Sequence, residues 1–155
     1  MKNINCTHFT DSIYYDFEQT ARLMRKAGNQ FFEMLKIELT VDEYAALDTI
    51  SCNAGICQRD LAKLILKDRA NTGRILDNLE ERGLITRFID TKNNRLVKKT
   101  GVTGNGYKKL KEINNKIDSH FRETTEDFSE EEIVTLQQSI RKFRENLEKR
   151  VNMNI

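Results

Sequence analysis

The sequence predicts a mainly α chain with one small β element, an α+β class, on three observations. Its 155 residues contain no proline and only seven glycines, so few positions force a helix to stop. Polar capping residues recur ahead of apolar side chains spaced three and four apart. After Gly83 the apolar period falls from helical to two, the mark of strands.

The first helix is expected over residues 11–36, where Ile13, Phe17, Met24, Ala27, Phe31 and Leu35 fall on one stripe. In "LTVDEYAALDTI", Thr40 stands three residues before Glu43, a capping box that starts a second helix near Val41 and carries it to about Ser51. "CNAG" then turns the chain. The segment "ICQRDLAKLILKDRANTGRILDNLEERGLI" divides into two short helices, because Leu61, Leu64 and Ile65 make one face and Ile75, Leu76 and Leu79 make the next. Asp68 is the expected N-cap of the second, and Gly83 its glycine stop with Leu84 packing back behind it. Two short helices with a tight connection form a helix-turn-helix.

Ile85, Arg87 and Ile89 then alternate with Thr86, Phe88 and Asp90, "TKNN" turns the chain, and residues 96–100 return as the second strand of a hairpin. Thr103 and "GNG" read as a flexible turn into a helix with Tyr107, Leu110, Ile113, Ile117 and Phe121 on one side. A last helix opens on a second capping box, Ser129 with Glu132. Its residues Ile133, Leu136, Ile140, Phe143 and Leu147 form a two-heptad seam that suits either a second copy or an intramolecular bundle. A helix pair followed by a hairpin is a winged helix-turn-helix. The expected organisation is a DNA-binding lobe over residues 37–103, with a helical dimerisation region from residues 1–36 and 104–155.

Charge is distributed unevenly. The net +2 conceals a centre, residues 58–111, with 14 basic against 6 acidic residues, while the remainder is acidic. Such a centre suits a polyanion, against the plainer reading of a solvated basic face. Nothing resembles a secretory leader or a membrane span, so a cytoplasmic protein is expected. Cys6, Cys52 and Cys57 are irregularly spaced and expected to be reduced, and with only His8 and His120 no metal or other cofactor is anticipated. An enzyme is disfavoured: no nucleophile has a matched histidine, and "GVTGNG" lacks the Lys-Ser/Thr ending of a phosphate loop.

Over nearly its whole length the chain resembles the MarR family of winged-helix transcription regulators. The matching pieces are "LTVDEYAALDTI", "RDLAKLI" and "NTGRILDNLEERGLITR", followed by Asp90, Arg95, Val102-Thr103 and a glycine at Gly104 or Gly106. The resemblance implies a homodimer on a pseudo-palindromic double-stranded operator, acting as a repressor that a small ligand or an oxidant releases. The alternative is a winged-helix module that binds a protein partner and no DNA.

A recognition helix offers its N-terminal residues to base edges, which here are Arg69, Asn71, Thr72 and Arg74, with the small Gly73 allowing close approach. Farther along, Asp77, Glu80 and Glu81 would repel phosphate. In the wing, Arg95 is the expected minor-groove probe, Lys92, Lys98 and Lys99 are expected phosphate contacts, and Asp90 is expected to orient an arginine such as Arg87. Cys57 begins a helix in the slot of a Ser or Thr cap, which favours a reactive thiolate with Cys52 as resolving partner; the plainer reading is two small buried hydrophobes. Tyr14, Phe17, Phe31 and Tyr44 are candidate ligand-pocket linings, or simply core.

Overall fold

A computed structural model describes residues 8–92 and 95–151, apart from the side chains of Lys92, Arg95, Ser119 and Phe121. It has six α-helices and one three-stranded antiparallel sheet among those residues. None of the described helices is long and apolar enough to cross a membrane. The chain divides into a first unit ending at Val41 and a second beginning at Asp42.

In the first unit a 3-10 turn, Phe9–Asp11, leads into α1, Ile13–Met34. Ser12 caps α1 by accepting from the Tyr15 amide. Of the expected stripe, Phe31 is buried beside Phe32, whereas Ile13 and Met24 are exposed.

The second unit takes in α2 (Val41–Cys52) from its second residue on, β1 (Ile56–Cys57), α3 (Gln58–Leu64), α4 (Arg69–Glu81), β2 (Ile85–Lys92), β3 (Arg95–Val102), α5 (Gly104–Thr125) and α6 (Glu130–Glu148). Its core draws Ala46, Leu47 and Ile50 from α2, Leu61 and Ala62 from α3, Thr72, Leu76 and Leu79 from α4, and Leu110, Ile113 and Ile117 from α5. Each fully buried leucine or isoleucine is worth about 1.5–3 kcal/mol against exposure. Polar links join the same helices: Asn78 Nδ2 donates to the buried Glu43 at 3.0 Å, and the Tyr44 hydroxyl donates to Asn114 Oδ1 at 2.8 Å.

Helix ends follow the sequence closely. Asp68 caps α4 by accepting from the Asn71 amide at 2.8 Å, and Ser129 with Glu132 makes the expected box at α6. At the end of α4, Gly83 takes φ +66°, with its N–H bonded to Glu80 O and the Leu84 N–H to Leu79 O. This six-to-one and five-to-two pair is a Schellman stop, which glycine makes without strain. The same pair ends α3, from Leu66 to Lys63 and Lys67 to Ala62, but there Leu66 occupies the left-handed position at φ +53°.

Four expectations are corrected. The sheet has a third strand: β1 pairs with β3 through Ile56–Thr100 and Cys57–Lys99, giving the order β1-β3-β2. Two residues are too few to show a period. The hairpin is longer than expected, since Thr91 and Lys92 continue β2 and the register closes on Lys92–Arg95; Asn93 and Asn94 lie outside the described residues, as does Cys6. Leu64, expected on the buried face of α3, is exposed, because α3 ends there and the turn to α4 carries it outward.

"GNG" is the first turn of α5 rather than a loop, capped by Thr103, whose Oγ1 accepts from the Gly106 amide at 3.1 Å. The glycine this site requires is Gly106. A Cβ there would lie 2.2 Å from the Leu84 carbonyl oxygen, while one at Gly104 would meet nothing within 4 Å.

Candidate nucleic-acid interface

Recognition-helix geometry follows from its buried stripe. Thr72, Leu76 and Leu79, spaced four and three, face the core, so Arg74 lies on the opposite side, while Arg69 is exposed as the first residue of the helix. Thr72 is therefore misassigned as a base reader: it is fully buried, and its hydroxyl donates to the Asp68 carbonyl at 2.8 Å. Gly73 is likewise small for an internal reason. A Cβ there would meet Gln58 Nε2 at 3.2 Å, and that same nitrogen donates to Arg69 O at 2.9 Å, pinning the start of α3 to the start of α4.

Asn71 and Arg74 are bonded to each other. The Asn71 side-chain amide donates to Asp68 and its oxygen accepts from the Arg74 guanidinium, a chain running from the cap along the first turns of α4. Hydrogen bonds from Asn71, the backbone amide first, hold the Asp68 carboxyl below its ordinary range.

The register of the wing sets which side chains share a face. Phe88, Asp90 and Lys99 share one face of the hairpin, and Arg87, Ile89 and Lys98 the other. Asp90 consequently pairs with Lys99 rather than with Arg87, three residues away and on the opposite face. Lys99 is half-buried and passes over Gly55, where a side-chain Cβ would lie 3.4 Å from its Cδ, while Lys98 is exposed. The side chains of Arg95 and Lys92 lie outside the described residues.

Arg87 turns the other way, onto α4. Its Nε donates to Glu80 Oε2 at 2.7 Å and its NH2 pairs with Asp77 Oδ1 at 2.7 Å. Glu80 also accepts the Arg87 backbone amide at 3.1 Å. Hydrogen bonding from Arg87 keeps the Glu80 carboxyl well below its usual range, and the same bond, with that of Asp77, pushes the guanidinium's affinity for its proton up. Asp77 and Glu80 had looked only like phosphate-repelling groups; their partner lies in another element, which a sequence of this length does not reveal.

Cys57 is the N-cap residue of α3, as expected, but makes no cap bond; its thiol donates to Asp60 Oδ2 at 3.2 Å. Cys52 is exposed at the end of α2, 3.8 Å from the Ser51 hydroxyl, and both thiols are free. Of the ligand-pocket candidates, Tyr14 is exposed and Phe31 buried on α1, Phe17 is half-buried, and Tyr44 is bonded to Asn114. A shallow concavity of about 370 Å³ on α1 is lined instead by Gln19, Thr20, Arg22, Leu23 and Lys26. Among the described residues, no group of three or more His, Cys, Asp or Glu side chains could hold a metal ion.

A recognition-type helix, a hairpin after its glycine stop and a third short strand define a winged helix-turn-helix protein. Residues 39–97 match the model of the MarR family. The whole chain is similar to an uncharacterized HTH-type transcriptional regulator, YybA of Bacillus subtilis (strain 168), at 29% identity over 90% of this chain and 91% of the relative. Among solved structures it is similar to the transcriptional regulator SlyA, with a TM-score of 0.74 and 28% identity over 89% of this chain and 95% of that one. The MepR–DNA complex of S. aureus shares the fold, with a TM-score of 0.72 and 23% identity over 90% of this chain and 99% of the other.

Proposed function

We propose that this protein is a homodimeric, sequence-specific DNA-binding transcriptional repressor. The observation that carries the reading is the division of α4: Thr72, Leu76 and Leu79 are committed to the core while Arg69 and Arg74 stand exposed at its N-terminal half, beside a hairpin carrying Lys98 and Lys99. Arginine and asparagine at the start of a groove-bound helix suit guanine and adenine edges, with Asn71 third among the base readers. Wing lysines, Lys92 among them, add phosphate contacts, and Arg95 enters the minor groove. The solved MepR–DNA complex, alike in fold, supports the same approach.

Dimerisation is supported by α6, none of whose residues is buried although Leu136, Ile140 and Leu147 line one side of it. Regulation by a small ligand or an oxidant completes the reading, with Cys57 the thiol at the start of the helix that packs on α4. The partner of such a protein is an operator with half-sites about 10 bp apart, and each monomer supplies one lobe.

The test is a mobility shift of purified protein on the DNA upstream of its own gene, repeated across a salt series. Binding that weakens steeply with salt and whose preference for the specific site Arg74→Ala reduces supports the reading. A sedimentation measurement gives the oligomeric state in the same buffer. Absence of any shift, with a protein partner retained instead, would establish the interaction module in its place.

A further inference from the structure

We propose that Arg87 is the positioning residue that sets the wing against the recognition helix, and thereby controls how many wing cations reach DNA. This rests on the DNA-binding reading above.

The sheet order β1-β3-β2 leaves β2 at an edge, so backbone groups on its outer side lack a strand partner. Glu80 fills one of these places: its Oε1 accepts the Arg87 amide at 3.1 Å while its Oε2 accepts Nε at 2.7 Å. Asp77, one helical turn earlier, pairs at 2.7 Å with NH2, a nitrogen that also bonds Glu80 Oε2. One side chain is thus held by two carboxylates on one face of α4, and its own backbone by one of them. The Arg87 side chain is only 15% exposed, while its partners Asp77 and Glu80 are 56% and 37% exposed, so the guanidinium is the sheltered end of the clamp.

Besides this clamp, α4 and β2 are joined by the short link Arg82–Gly83–Leu84, which Thr103 holds through bonds to the Gly83 and Leu84 carbonyls. Without the clamp, the part of the hairpin beyond the β1 pairs at Lys99 and Thr100 can bend away and carry Lys98 and its neighbours from a backbone that α4 has already engaged. The clamp also compensates part of the negative charge that Asp77 and Glu80 would otherwise turn toward phosphate. Arg87 accordingly acts through the wing without itself touching the nucleic acid.

The distinguishing quantity is the salt slope. A lysine or arginine that contacts a phosphate accounts for about one unit of slope on B-DNA. A residue that positions the whole wing removes several contacts together. Arg87→Ala is expected to weaken binding by at least ~10-fold and to lower the slope by clearly more than one unit. Arg87→Lys, which keeps the charge but cannot fork across two carboxylates, should fall between the two. The exchange Arg87→Glu with Glu80→Arg restores the side-chain pairing but not the bond to the residue-87 amide, and should recover part of the affinity and part of the protection from amide exchange in residues 85–92 that Arg87→Ala removes. If the wild type shifts DNA and Arg87→Ala binds with unchanged affinity and slope, the positioning role is overturned alone. Loss of one slope unit without recovery in the exchanged pair makes Arg87 a direct phosphate contact and overturns it too. A wild type that binds no DNA overturns the DNA-binding reading and this inference with it.

Discussion

The Thr103 hydroxyl donates to the Gly83 carbonyl at 2.7 Å, across a sequence separation of 20 residues, and accepts the Gly106 amide with the same oxygen. One side chain therefore closes the end of α4 and opens α5. The Thr103 amide adds a bond to Leu84 O at 3.0 Å. Thr103→Val keeps the shape and removes both hydroxyl bonds, with an expected loss of about 1–2 kcal/mol in a urea titration. Gly106→Ala sets a methyl against the Leu84 carbonyl oxygen and should cost about 2 kcal/mol or more, whereas Gly104→Ala should be neutral or slightly stabilising. Equal effects at the two glycines would refute the packing at Leu84.

Thr72 and Arg74 should separate stability from binding. Thr72→Val leaves DNA affinity within about 2-fold of wild type, because the side chain faces the core. Arg74→Ala, at an exposed position, should lose about 1–3 kcal/mol of discrimination while the melting temperature stays unchanged. Competition between specific and scrambled DNA in an anisotropy assay measures both.

Acid should loosen the wing clamp. Glu80 has a depressed carboxyl value, from an ordinary 4.5, because Arg87 bonds its ionised form. A group depressed in the folded state binds fewer protons there than in the unfolded chain, so its contribution is complete above its ordinary value and disappears as pH falls through the folded one. Thermal melts between pH 7 and pH 3 should show Glu80→Gln losing less stability on acidification than wild type. Parallel pH curves for the two proteins would count against the clamp.

Leu66 offers a stabilising change. Its φ of +53° is left-handed, its side chain is exposed, and its place in the Schellman stop of α3 corresponds to that of Gly83 in α4. Leu66→Gly relieves the backbone at the cost of unfolded-chain entropy, for a net gain of about 0.5–1 kcal/mol in chemical denaturation.

Much of this fold was legible because local rules govern it. Asp68, Gly83 and the Ser129–Glu132 box act within one helical turn, and the structure has each where its residue type requires. Long-range partners were hidden. That Thr72 turns inward follows from its spacing to Leu76 and Leu79, and reading the stripe one turn further toward the N-terminus would have found it. By contrast, no sequence pattern announces that Arg87 meets Asp77 and Glu80, or that Gly106 rather than Gly104 passes under Leu84, since both depend on how helix and hairpin meet. Period-two alternation could have corrected the partner of Asp90, because residues 87 and 90 cannot share a strand face.

The run of bonds from Asp68 through Asn71 to Arg74 bears on what specificity costs. Any base that Asn71 or Arg74 takes up must replace a bond the free protein already makes, so only the difference between old and new partners appears as affinity. An incorrect base leaves the original bonds in place, and little is lost by not engaging it. If Asn71 and Arg74 are base readers as proposed, the helix slides along nonspecific DNA with these side chains held by one another, releasing them only where the exchange is favourable.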